Sequence, residues 1–246
     1  MSQKIPIEVL SLVAADSVVN KSVLTGEIAG VKTIYHVLPA NSRISLSQEN
    51  NCIHILFFID GRGSVSVSEK EFSLIDQTLF IPSKKCKIKI KSQSRLELLE
   101  IVWQLTESEF VSMKEDSLPY ILKYSEAKTY KEAIKSPKTV NRTLVHEDLI
   151  PRFCMGSVET EGPDAVGAHR HPMLEQHFFG LPGNSCHVKA DDAEISFPER
   201  ALLHIPLGSE HSVRVDDGHK LHYIWIDYFR DAEGVDWIKK MHKSDE

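Results

Sequence analysis

Four cysteines in 246 residues, Cys52, Cys86, Cys154 and Cys186, form no CxxC pair and no dense framework. That spacing excludes a disulfide scaffold and leaves buried free thiols within strands as the expectation. No apolar run approaches the ~20 residues that a helix needs to cross a bilayer, so a soluble chain without a membrane partner is expected. The start, MSQKIP, lacks the basic residues, apolar centre and small-residue cleavage site of a secretory signal. A cytoplasmic location follows as an expectation. Basic blocks are missing too. With a net charge of −6 and no recognisable DNA-binding helix pair, nucleic acid is not expected as a partner. The lysines at 85, 87, 89 and 91 alternate with Cys86, Ile88 and Ile90. This is the period of a strand with one face in a core, so the lysines read as its solvated face.

The composition that remains is ordinary for a globular protein, 41% hydrophobic and 26% charged, and the length permits one large β domain or two small ones. Short β-rich segments separated by turn residues fill 30–105 and 140–230, a rhythm typical of sandwiches or barrels. Between them Thr106, Glu107, Ser108 and Glu109 have the pattern of a capping box, with Phe110 and Met113 at helical spacing behind it. A second helix is expected over 125–135, with Ala127, Tyr130 and Ile134 on one side. A third is expected over 231–243, on Val235, Ile238 and Met241. The two β blocks repeat each other. IHILFFIDG ends at Gly61 and LFIPSK carries Pro82, while QHFFGLPG ends at Gly183 and LHIPLG carries Pro206, so the landmarks recur at offsets of 122 and 124 residues. Two landmarks in one order at nearly one interval point to a unit that occurs twice. The expected layout is a first β domain over 1–105, a partly helical linker over 106–139, and a second β domain with a terminal helix over 140–246.

The second block carries the chemistry. His169 and His171 stand two apart, which on a strand aims both imidazoles at one face, and His211 follows from a later strand. Three convergent imidazoles suit one divalent transition metal, Fe, Mn, Ni, Cu or Zn, and are too nitrogen-rich for Mg or Ca. The stretch from Gly167 to Gly183, with HxH at 169–171, and the later Pro206, Gly208 and His211 resemble the two signature motifs of the cupin superfamily. The resemblance implies an all-β chain of two tandem cupin barrels of the double-stranded β-helix, or jelly-roll, type. It also implies a fourth metal ligand. A six-residue gap before Gly183 leads to Gln176, whereas a three-residue gap after His171 leads to Glu175, and a regular strand cannot turn both inward. The turn glycine is the firmer register mark and favours Gln176. Glu175 stays open as a ligand, or as a catalytic base beside the metal. Arg200 stands where the second motif begins with Gly.

Aligning the first block on Gly61 and Pro82 puts Ser47, Glu49, His54 and Lys87 at the four ligand positions, a poor metal site. The first copy therefore reads as degenerate, with His54 as a strand histidine. His177, His187, His204, His219 and His222 have no assignable partner, and Arg152 and Arg170 are candidate counter-charges for a carboxylate. Together these features lead to the expectation of a metal-dependent bicupin enzyme acting on a small, polar, anionic molecule. Oxygenase, isomerase, lyase and hydrolase chemistry, a non-catalytic metabolite- or sugar-binding role, and a homodimer all stay open.

Overall fold

A computed structural model describes residues 4–10, 16–75 and 77–243, and of 238–243 the backbone only. Its contacts divide the chain into Leu12–Ala127, the N-terminal unit, and Met1–Ser11 together with Lys128–Glu246, the C-terminal unit.

The N-terminal unit has a six-stranded antiparallel sheet in the order Tyr120–Lys123, Thr78–Ile81, Cys52–Asp60, Leu96–Gln104, Val31–Leu38 and Val19–Val23. A four-stranded sheet in the order Arg43–Leu46, Ile88–Ser92, Arg62–Val67 and Lys70–Ile75 accompanies it. Leu56, Phe58 and Leu98 of the first sheet and Val65, Leu74 and Ile90 of the second share one buried cluster, so the sheets pack on each other. The strand Ile88–Ser92 buries Ile88, Ile90 and Ser92 and exposes Lys89 and Lys91, as the alternation requires. Lys85 stands in the turn before it, and Cys86, half-buried, lies outside any strand, unlike the other three cysteines.

The C-terminal unit repeats this order. Its larger sheet runs Ile7–Val9, Ala201–Ile205, Leu174–Gly180, Lys220–Phe229, Phe153–Glu161, Val140–Ile150, with Lys128–Tyr130 added at the far edge. Its smaller sheet runs Asp164–Arg170, Glu210–Val215, Ser185–Ala190, Ala193–Pro198. The core between them joins Phe178, Leu203 and Tyr223 to Val188, Phe197 and Val213. The landmark glycines of the repeat occupy equivalent turns, Gly61 at φ 100° and Gly183 at φ 84°, a region that side-chain-bearing residues rarely adopt. At Gly61 a Cβ would also collide with the Arg95 carbonyl.

The expected linker over 106–139 does not stand apart. The capping box forms as expected, Thr106 accepting from the Glu109 amide and Glu109 from the Thr106 amide, and it starts the helix Glu107–Ser112. Beyond it, Tyr120–Lys123 joins the N-terminal unit's sheet beside Thr78–Ile81. The helix expected over 125–135 is replaced by a 3₁₀ turn at Tyr124–Glu126 and the strand Lys128–Tyr130, which pairs with Val140–Ile150. The apolar spacing that suggested a helix was overridden because an open sheet edge offered those backbone groups a partner. Likewise Ile7–Val9 pairs with Ala201–Ile205, so the first residues belong with the second β block. The terminal helix is Ala232–Lys243 and buries Val235. The side chains of Ile238 and Met241 lie outside the described residues. Among the described residues no helix is long and apolar enough to cross a membrane.

Inside the N-terminal unit, His54 donates from Nδ1 to Glu100 at 2.7 Å and His36 donates from Nε2 to the other Glu100 oxygen at 2.7 Å. All three side chains are buried. Burial opposes ionisation of Glu100, but the two hydrogen bonds and the imidazole charges outweigh it and hold its pKa down at about 2, against 4.5 for a free glutamate. A carboxylate with a depressed folded-state pKa adds stability above its unfolded value and loses it as the pH falls towards the folded one. Glu100→Gln should therefore cost on the order of 3 kcal/mol at neutral pH. The gap from wild type should shrink between pH 4.5 and about 2. Urea unfolding of both proteins across that range measures it, and a gap that stays constant would refute the ionic account.

Candidate metal centre

The geometry begins with one strand pair. Asp164–Arg170 runs antiparallel to Glu210–Val215, and His169 stands directly opposite His211. The register slips between Val166 and His169, a bulge that re-aims the strand as it reaches the histidines. There the Gly167 amide donates to the Ile134 carbonyl at 2.8 Å, tying the bulge to the loop 131–139. His171 lies just past the strand end. The ring centroids of His169 and His211 are 4.3 Å apart, those of His169 and His171 4.9 Å, and those of His171 and His211 5.5 Å. One nitrogen from each falls within 4.8 Å of the others, the one such group of three among the described residues.

The tautomers follow from the partners. His169 Nδ1 lies 2.8 Å from the Gly167 carbonyl and His211 Nδ1 lies 3.2 Å from the Ser209 carbonyl. A carbonyl can only accept, so each Nδ1 carries the proton and each Nε2 presents a lone pair, the state a metal requires. Burial, reinforced by the neighbouring His169 and His171, pushes the His211 pKa down to about 3 and keeps that ring neutral. Among the described residues its buried Nε2 has no partner.

The strand Leu174–Gly180 settles which neighbour faces the histidines. Gln176 is buried on the cavity side together with Phe178. Its Nε2 donates to Asp227 Oδ1 at 2.7 Å, and its buried Oε1 has no partner among the described residues. Glu175 lies on the other face, where it accepts from His204 Nε2 at 3.1 Å and lines no part of the cavity. On that same side His177 is buried and its Nδ1 lies 3.4 Å from the Tyr228 hydroxyl. His187 pairs with Asp216, His219 is exposed and His222 lies against the Pro182 carbonyl. None of these five histidines lines the cavity. Arg152 turns to the Phe229 carbonyl, whereas Arg170 stands exposed at the cavity rim. Arg200, in place of the motif glycine, takes the left-handed conformation at φ 53° and pairs with Glu199, so the turn is kept without glycine.

The cavity in front of the histidines encloses about 290 Å³. Several of its walls come from residues that no motif marked. Asp227 lies beneath Gln176, and burial pushes its pKa up to about 7 against the hydrogen bonds from Gln176 and Cys154. Trp237, from the terminal helix, meets His171 edge-on with centroids 6.2 Å apart. Trp225 and Tyr223 add aromatic wall, and the loop 131–139 contributes Glu132 and Lys135.

No family model matches the chain and no curated protein does. Solved structures do. A cupin 2 conserved barrel domain protein from Leptotrichia buccalis has a TM-score of 0.62 at 13% identity, over 91% of this chain and 98% of that one. AerE from Microcystis aeruginosa has a TM-score of 0.71 at 10% identity, over 92% and 99%. An oxalate decarboxylase from Lactobacillus farciminis, solved as a formate complex, has a TM-score of 0.64 at 11% identity, over 85% and 81%. The chain therefore has the cupin fold, and at these identities the likeness establishes the fold alone.

The buried position of His211 predicts that in metal-free protein its ring stays neutral until the pH falls to about 3. Following its ring nitrogens by NMR through an acid titration tests this. A midpoint near the free-histidine value of 6.5 would place the ring in water rather than in the cavity.

Proposed function

We propose that the chain is a metal-dependent enzyme acting on a small, polar, anionic metabolite in the cavity of the C-terminal unit. One divalent transition metal, Fe, Mn, Ni, Cu or Zn, would be held by His169, His171 and His211, with Gln176 as the fourth ligand. The observation that carries this reading is the convergence of three imidazole nitrogens within 4.8 Å, where His211 Nε2 and Gln176 Oε1 are buried without partners among the described residues. A buried acceptor left unsatisfied costs roughly 1–3 kcal/mol, a cost that coordination would remove.

With four neutral ligands the ion's charge would stay uncompensated, so its chemistry there would be that of a Lewis acid that polarises a coordinated oxygen or acidifies bound water. The chain's own residues prepare the place. Two backbone carbonyls hold the Nδ1 protons of His169 and His211, Asp227 orients the Gln176 amide, and Trp225 and Trp237 add apolar wall. Oxygenase, isomerase, lyase and hydrolase chemistry are all compatible with such a site. An anionic substrate suits the uncompensated charge, and the oxalate decarboxylase of like fold holds a small carboxylate, formate. The N-terminal unit reads as the copy without metal, because its interior histidines, His36 and His54, each give one ring nitrogen to Glu100 and, among the described residues, belong to no convergent group of three ligands. Glu175 has no support as ligand or base, since its carboxylate is engaged by His204 on the opposite face of the strand.

Elemental analysis of the purified chain should find about one transition metal per molecule. His211→Ala should lose most of it with an unchanged circular dichroism spectrum, Gln176→Ala should weaken retention, and Glu175→Ala should match wild type. Full occupancy in His211→Ala would remove the three-histidine site, and a metal loss confined to Glu175→Ala would reverse the register.

A further inference from the structure

The loop 131–139 brings a lysine into the cavity. Lys135 lines it, and its side chain is only 6% exposed. Its ammonium meets Glu132 at 2.5 Å, and Glu132 is itself largely buried. An ammonium has three N–H donors, and among the described residues Glu132 is the one acceptor within reach. Among the described residues the ammonium makes no further hydrogen bond or ion pair. Burial pulls the Lys135 pKa down, and Glu132 opposes that fall.

An ion pair three residues apart could serve only to pin its own turn, but this turn is pinned by other means. The Ile134 carbonyl accepts from the Gly167 amide at 2.8 Å, and Lys135 forms a backbone bridge with Val166. Ser136 and Thr139 both donate to Asp164, at 2.8 and 3.0 Å. Lys131 binds the carbonyls of Pro137 and Thr139. A buried ammonium adds a desolvation cost to a loop already held, and faces a space whose other walls include Trp225, Trp237, Phe178 and Val166. A point charge beside aromatic surface suits a ligand with one anionic end and an apolar body.

We propose that Lys135, held in place by Glu132, is the anion anchor of this cavity, and that the anionic metabolite is a small organic carboxylate, polar at that end alone, with an apolar or aromatic body. This rests on the reading of the same cavity as a substrate site, but the anchor belongs to the protein alone and acts without metal. It is tested on the full-length chain stripped of metal by a chelator, with benzoate and its uncharged isostere benzamide as probes. Calorimetry and tryptophan fluorescence report the binding.

Wild type should bind benzoate about tenfold or more tightly than benzamide. Lys135→Met should abolish that preference and leave benzamide affinity unchanged, while Lys135→Arg should keep it. Glu132→Gln retains an acceptor for the ammonium but removes the competing charge, so benzoate affinity should rise severalfold. An equal benzoate preference in wild type and Lys135→Met would overturn the anchor, as would a wild-type chain that does not discriminate the two probes. If Lys135→Met does not fold, the Glu132→Gln result decides, since a pair that only pins the loop would leave benzoate affinity the same or lower. Metal content is read separately. A wild-type chain that retains no metal but prefers benzoate through Lys135 would refute the metal centre and leave the anchor standing.

Discussion

Side chains on a strand alternate between faces, and the chemistry of the C-terminal unit depends on which of two neighbours that alternation turns inward. With Gln176 inward, the histidines face a neutral amide held by a buried aspartate. With Glu175 inward, they would face a negative charge, and Gln176 would sit beside His204. The choice is made by pairing, since Gln176 stands opposite Asp227 on one side and Ile205 on the other. Each further ladder bond makes a slip of one residue more costly, because it would turn Phe178 out of the core as well.

The two units show one topology used in two ways. Position for position, His54 in the first corresponds to Gln176 in the second, both on the strand that precedes the landmark glycine. In the first unit His36 and His54 both bind Glu100, while His54 Nε2 and Thr33 Oγ1 stay buried without a partner among the described residues. Among the described residues the second unit leaves more such atoms open. There Gln176 Oε1 and His211 Nε2 stay buried and unpartnered, and the Lys135 ammonium pairs with Glu132. A closed buried network stabilises a fold, whereas an open one costs stability unless something fills it.

The second unit's cavity also shows how a fold recruits residues from far along the chain. The loop between the strands Lys128–Tyr130 and Val140–Ile150 supplies Glu132 and Lys135, the strand Lys220–Phe229 supplies Asp227, and the terminal helix supplies Trp237. Each is set in place by an element whose own position is fixed by pairing or packing. The Gly167–Ile134 hydrogen bond joins the loop to the same bulge that aims the histidines. Loop and histidine cluster therefore share one mechanical support.

Local pattern was enough to reveal the duplication, the β character of both blocks, the capping box and the three histidines, because each depends on spacing along a short segment. Alternation with period two predicts a face, a turn glycine marks a register, and Gly183 pointed to Gln176 on that basis. What sequence could not decide was where segments go when their own pattern is ambiguous. Residues 125–135 have helical spacing and form a 3₁₀ turn and an edge strand instead, because a sheet edge was available. Residues 7–9 join the second unit because Ala201–Ile205 presents an open edge. Lys135, Glu132, Asp227 and Trp237 carry no motif and lie up to about a hundred residues apart. Only tertiary structure brings them to one cavity, since burial and proximity are properties of the folded path rather than of any local run of residues.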